Sequence, residues 1–277
     1  MNTATHSGQY ALATGANAVG RLDVLHSIYS STGRIGLIEA GLKVGMTAAD
    51  FGCGSGTMTR LLAAMVGPSG RVTGIDLNAP QVEQAKELCA RQGLTNSDFI
   101  VADACRTNLP RDAFDLVYCR FLLLHLPDPM ACLREMLAVL KPGGILFVED
   151  GDLASATSVP PTALDMFADL FGRLGPIRGV DYSVANRLAQ MVMDAGLSDI
   201  GMKIHQPAER AGATGLLLKW SVEEAAPAFI EEGLITRDEL DWTLKGMKSA
   251  AEDPKVIALA PRMSLVWGRK PVPVMKK

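Results

Sequence analysis

Apolar residues along the chain follow two alternating patterns, which together predict an α/β protein. Short apolar runs bounded by turn residues read as buried strands at Thr47–Phe51, Arg71–Ile75, Ser97–Val101, Phe114–Cys119 and Ile145–Val148. Between them lie helical stretches: Thr57–Met65, then a face of Val82, Ala85, Leu88 and Cys89, then one of Met130, Leu133, Leu137 and Leu140. Local signals mark the ends of these helices. Asn78-Ala79-Pro80-Gln81 reads as a capping box, and Asp128 suits an N-cap with Pro129 at the first helical position. Lys141-Pro142-Gly143-Gly144 stops the third helix. Upstream, apolar residues 22, 25, 28 and 29 predict one helix, and a second piece over about Thr32–Ala40 ends at Gly41. Downstream, a helix over about Val184–Ala195 closes at Gly196, and strands at about Asp199–Gln206 and Ser264–Arg269 complete the series. Two segments interrupt it. Residues 153–182 place Met166, Phe167, Leu170 and Phe171 on one helical face. Residues 207–258 carry capping-box patterns at Ser221–Glu224 and Thr236–Glu239, together with Trp220, Phe229 and Trp242.

Composition narrows the function. The 277 residues suit one large domain, and a 48% hydrophobic content supplies a substantial core. A net charge of −3, with no basic run apart from Lys276-Lys277, argues against a nucleic-acid partner. The five cysteines (53, 89, 105, 119 and 132) form no C-x-x-C pair, and with four scattered histidines they offer no metal-binding spacing. Reduced, buried cysteines in a cytoplasmic protein are the expectation. No apolar run approaches about 18 residues, so no membrane span is expected. Met1-Asn2-Thr3-Ala4-Thr5-His6 lacks the basic and apolar parts of a signal peptide. The oligomeric state stays open, a homodimer being one option.

The candidate chemistry centres on Asp50-Phe51-Gly52-Cys53-Gly54-Ser55-Gly56. Glycines at alternate positions let the chain bend sharply and let a ligand approach the backbone. The helix that follows presents free N–H groups and a positive dipole end. The G-x-G-x-G spacing departs from the dinucleotide G-x-G-x-x-G, and no phosphate-loop sequence is present. A Tyr-x-x-x-Lys pair is missing as well, since Tyr10, Tyr29, Tyr118 and Tyr182 are followed four residues on by Thr14, Gly33, Leu122 and Asn186. The acid at Asp50 would repel a pyrophosphate and suits a ligand bearing an ammonium or sulfonium group.

Asp50-x-Gly52-x-Gly54-x-Gly56 resembles motif I of the class I S-adenosylmethionine-dependent methyltransferases, of the small-molecule type that includes quinone and natural-product tailoring enzymes. Further stations follow in order. Asp76 at the end of the second strand matches the ribose-binding acid, placed to accept hydrogen bonds from both hydroxyls. His125-Leu126-Pro127-Asp128-Pro129, with the later Leu140-Lys141-Pro142-Gly143-Gly144, resembles the family's post-motif segment. The resemblance covers about Thr47–Gln206. It implies a Rossmann-like, seven-stranded, mostly parallel sheet of order 3-2-1-4-5-7-6, with the last strand antiparallel and helical lid additions. It also implies an N-terminal helical cap over residues 1–45 and a methyltransferase domain over 46–277, with insertions at about 153–182 and 207–258.

For the site, the resemblance implies that S-adenosylmethionine contacts Asp50, Gly52, Cys53, Gly54, Gly56, Asp76, Leu77 and Gln81. Asp103 and Ala104 would meet the adenine, and Cys119 and Arg120 would border the methionine end. Tyr10, Arg21 and His26 are candidates from the N-terminal helices, Arg21 by pairing with the methionine carboxylate; an ordinary amphipathic helix is the alternative. Base-methylating enzymes are disfavoured, because Cys119-Arg120-Phe121-Leu122 lacks their Pro-Pro and Pro-Cys signatures. Asp150, in the acidic run Glu149-Asp150-Gly151-Asp152, is a candidate general base or a loop-start acid. His125 is a candidate base or a loop-fixing residue. The expected reaction moves a methyl group to an O, N or C atom of a small, apolar or aromatic molecule, leaves S-adenosylhomocysteine and needs no metal. A nicotinamide-dependent oxidoreductase and a non-catalytic S-adenosylmethionine-binding subunit are the alternatives.

Overall fold

The structure, a computed structural model, describes residues 19–273. Its centre is β1 (Thr47–Phe51), flanked by β2 (Arg71–Asp76) and β4 (Phe114–Arg120), with β3 (Ser97–Val101) at one edge and β5 (Leu140–Asp152) beyond β4. These five strands are parallel. The strand β10 (Arg262–Arg269) lies between β5 and the edge strand β7 (Ser198–His205), antiparallel to both. The order β3-β2-β1-β4-β5-β10-β7 is the expected 3-2-1-4-5-7-6 once three short strands outside this sheet are set aside. β4 and β5 are buried on both faces because helices cover both, as a parallel sheet requires.

On one face lie α1 (Val19–Ala40) and α2 (Thr57–Val66), which bury Tyr29, Leu37 and Leu62 against Phe147 and Leu265. On the other, α4 (Pro129–Val139), α5 (Met166–Arg178) and α6 (Leu188–Asp194) join one continuous core with Val117, Leu146 and Val148. The helix α3 (Ala79–Arg91) connects β2 to β3. Asn78 caps it by accepting the Gln81 N–H, and Asp128 caps α4 by accepting the Ala131 N–H at 3.0 Å.

Several elements differ from the sequence expectation. The two N-terminal helical pieces form the single helix α1. Its internal glycine at Gly33 serves packing rather than a break, since a β-carbon there would lie 2.6 Å from Glu149 Oε1. The Ser221–Glu224 pattern does not start a helix. It lies inside α7 (Ala213–Glu231), where the Ser221 hydroxyl donates to the Leu217 carbonyl at 2.8 Å. The box at Thr236 does open α8 (Arg237–Glu252), with reciprocal Thr236 and Glu239 bonds. The two insertions are also joined. β6 (Thr157–Val159) of the first pairs with β9 (Ile257–Leu259) of the second, which pairs in turn with β8 (Ala208–Arg210).

Candidate active site

The carboxyl ends of the parallel strands open into a cavity of about 680 Å3. That is within the roughly 300–1,000 Å3 usual for small-molecule sites. Gly52 and Gly54 stand in its wall with φ of +69° and +53°, a left-handed backbone that a β-carbon would strain. The Gly54 N–H donates to Asp76 Oδ2 at 2.8 Å and the Asn78 N–H to Asp76 Oδ1 at 2.9 Å, so the end of β2 is tied to the glycine loop. Burial raises the Asp76 pKa against the opposing pull of those N–H groups. Asp50 accepts the Thr59 hydroxyl at 2.6 Å. Burial pushes its pKa up to about 7, although the Thr59 bond and the nearby Arg120 charge favour the ionised form.

Arg120, at the tip of β4, also faces the cavity. Its buried Nη1 has no hydrogen-bond partner among the described residues, and its Nη2 lies 3.5 Å from His26 Nδ1. Burial, then the Arg120 charge, lowers the His26 pKa. His26 itself is not in the cavity wall. Cys53, Leu77, Gln81, Asp103 and Ala104 complete this polar end of the cavity.

Two candidates of this group sit elsewhere. Gly56 is not in the wall; a β-carbon there would lie 2.8 Å from Ala85 Cβ and 3.1 Å from the Phe99 ring, so packing of α2 against α3 and β3 requires the glycine. Cys119 points into the core behind the sheet, fully buried. Tyr10 lies outside the described residues.

The acidic run at the end of β5 does not edge the cavity as expected. Asp150 is fully buried and absent from the wall. Its Oδ2 accepts the Leu123 and Leu124 N–H groups at 2.8 and 3.3 Å, and its Oδ1 accepts the Gly151 N–H at 2.9 Å. Burial raises its pKa to about 7, and from outside the wall its oxygens hold the loop between β4 and α4. Glu149 accepts the Tyr118 hydroxyl at 3.0 Å beneath α1, and Asp152 pairs with Arg262 at 2.8 Å. His125 does stand in the wall, on the short turn that Asp150 holds, edge-on to Tyr182 at 5.9 Å. Burial, then the Arg21 charge, lowers its pKa to about 3, which leaves it neutral and a weak base.

An apolar part of the wall is drawn from elements that the sequence marked only as additions: Leu22 and Leu25 of α1, Phe167 and Phe171 of α5, Leu217 and Leu218 of α7, with Ser221 beside them. The Leu22–Leu25 and Phe167–Phe171 faces carried a local helical signal, and Leu217 and Leu218 carried none. Arg21 is buried in this wall too, its Nε bonded to Glu224 Oε2 of α7 at 2.7 Å. Glu224 lies 203 positions away in sequence, beyond any local pattern. Among the described residues no group of three or more His, Cys, Asp or Glu is placed to hold a metal ion, and no helix is long and apolar enough to cross a membrane.

Known proteins share this arrangement. Residues 49–148 match the family described as a methyltransferase domain. The chain is 35% identical over 141 residues to demethylmenaquinone methyltransferase of Staphylococcus aureus, a match covering 51% of this chain and 56% of the relative. The chain thus spans about half the length of the curated relatives it matches. The fold is that of the YcgJ protein from Bacillus subtilis (TM-score 0.59, 20% identity, 88% of this chain and 100% of the other). It is also that of Haemonchus contortus phosphoethanolamine N-methyltransferase 2, solved with phosphomonomethylethanolamine and S-adenosylhomocysteine (TM-score 0.55, 18% identity, 94% of this chain and 54% of the other). The glycine loop, the sheet order and the matched segment thus agree in their likeness to a methyltransferase domain of the class I S-adenosylmethionine-dependent type.

Proposed function

We propose that the protein transfers the methyl group of S-adenosylmethionine to an O, N or C atom of a small, largely apolar or aromatic molecule. One observation carries the reading: a single cavity joins the polar glycine-loop end to an apolar compartment walled by α1, α5 and α7. The polar end suits the cofactor. Asp76, Asp103, Ala104 and Asp50 all line it; in this reading Asp76 takes the ribose hydroxyls, Asp103 and Ala104 take the adenine, and Asp50 meets a cationic group. The orphaned Nη1 of Arg120 is a donor in want of an anionic or carbonyl partner, which the methionine end provides.

Bound S-adenosylmethionine supplies an activated methyl group on a sulfonium that is its own leaving group. The protein's residues then have positioning work to do. They hold the acceptor in line and keep water away with an apolar wall. No strong base is needed for an acceptor that ionises readily, consistent with the burial of Asp150 and the low basicity of His125.

Calorimetric titration with S-adenosylmethionine, S-adenosylhomocysteine and NADH, followed by acceptor screening with labelled methyl donor, tests the reading. Binding of the two sulfur ligands and not of NADH is expected. Binding of NADH alone would favour the oxidoreductase alternative and overturn the cofactor assignment.

A further inference from the structure

Two cations face the cavity, and they serve different neighbours. Arg120 lies at the polar end, where its charge acts on Asp50, His26 and Glu149. Arg21 lies against the apolar compartment. Its Nε is fixed by Glu224 of α7, one turn beyond Ser221 and two turns beyond Leu217 of the cavity wall. Its charge reaches His125 on the opposite loop. Its sequence neighbours in the wall, Leu22 and Leu25, are apolar, and its partner Glu224 lies on α7 rather than on the glycine loop. The side chain is only 5% exposed, and Nη1 and Nη2 have no hydrogen-bond partner among the described residues. A guanidinium held by one edge in an apolar wall keeps its other edge for a ligand, in the fork geometry that suits an oxyanion.

We infer that Arg21 is an acceptor-binding residue rather than a cofactor anchor, and that the acceptor is an apolar molecule bearing an acidic oxygen, held as its anion by Arg21. The inference rests on the methyltransferase reading and adds a substrate class to it. An anionic phenol, enol or carboxylate arrives already deprotonated or is made more acidic by Arg21. Its proton goes to solvent, which is why the compartment needs no stronger base than a neutral imidazole. Glu224 sets the orientation of Arg21 without filling the fork.

The test is equilibrium binding to the complex with S-adenosylhomocysteine. Naphthoate, a nitronaphthol and neutral naphthylmethanol share an apolar body and differ in the oxygen. At about pH 7.5, where the acid is ionised, wild type should bind naphthoate or the nitronaphtholate at least about tenfold more tightly than naphthylmethanol. Whichever anion binds better tells a carboxylate acceptor from a phenolic or enolic one. Arg21→Met combined with Glu224→Gln removes the pair without leaving a lone buried charge. The double variant should lose that preference and keep its affinity for S-adenosylhomocysteine. Equal wild-type affinity for all three probes overturns the proposal. So does a variant that loses S-adenosylhomocysteine binding instead, which returns Arg21 to the cofactor. Failure of wild type to bind S-adenosylhomocysteine overturns the methyltransferase reading itself, so the two failures are separable.

Discussion

Asp50 is a buried acid in the cavity wall, 2% exposed, and burial raises its pKa to about 7. A cationic ligand beside it would restore the ionised form, so the position trades stability for recognition. In the free protein the native state keeps a proton that the unfolded chain has released at ordinary carboxylate pKa. Stability therefore falls as pH rises from about 4 to about 7. Asp50→Asn retains an oxygen for the Thr59 hydroxyl but has no charge to desolvate. Its stability advantage over wild type should grow across that pH window, by on the order of 2–4 kcal/mol, and then level off. Urea unfolding at the two ends of the window measures this. An advantage independent of pH would show that Asp50 titrates as an ordinary carboxylate. The same variant should bind S-adenosylmethionine more weakly.

At the scale of elements, the apolar part of the cavity depends on α7, the helix that sequence patterning divided wrongly. A Ser-x-x-Glu signature starts a helix only where the chain has turned beforehand. Here Leu216, Leu217 and Leu218 run into it without a break, and Ser221 satisfies its hydroxyl on the preceding turn. The parallel strands, the glycine loop, Asp76 and the caps at Asn78 and Asp128 were legible, because each rests on residues within a few positions of one another. Three features were not: the union of the insertions through β6, β8 and β9, the Arg21–Glu224 pair, and the inward turn of Asp150. All depend on contacts between distant segments, and strands three residues long leave no period to read. The rule that α/β sites lie at the carboxyl ends of strands pointed to Asp150, but not to the neighbouring loop N–H groups that claim its oxygens. Since α7 walls the apolar compartment and not the glycine loop, Leu217→Trp should fill that compartment selectively. Affinity for S-adenosylhomocysteine by calorimetry should change by less than about twofold, while methyl transfer to any accepted molecule falls by at least about tenfold. Loss of both together would mean that α7 shapes the cofactor end as well.

Across the whole molecule, the cavity wall is assembled from α1, the glycine loop, β2, β4, α5 and α7, elements drawn from both cores and both insertions. A ligand that fills its polar end therefore bridges segments that would otherwise separate early in unfolding. β1 and β4 lie centrally in the sheet and are held on both sides, whereas the insertions are anchored by α7–α8 packing, the small sheet and the Arg21–Glu224 pair. Binding to the native state alone adds about 2.7 kcal/mol when the ligand is present at about a hundredfold excess over its dissociation constant. For a chain of this size each kcal/mol raises the melting temperature by about 2–4 °C, so S-adenosylhomocysteine should raise it by roughly 5–10 °C. Asp76→Ala, which removes the acid that ties the glycine loop to β2, should lower the unliganded melting temperature and shrink the increment at the same ligand concentration. A full increment in that variant would exclude Asp76 from the ligand's contacts and leave it only its bonds to Gly54 and Asn78. A vanishing increment, with the far-ultraviolet circular dichroism of the folded chain intact, would assign Asp76 to the ligand as well as to the loop.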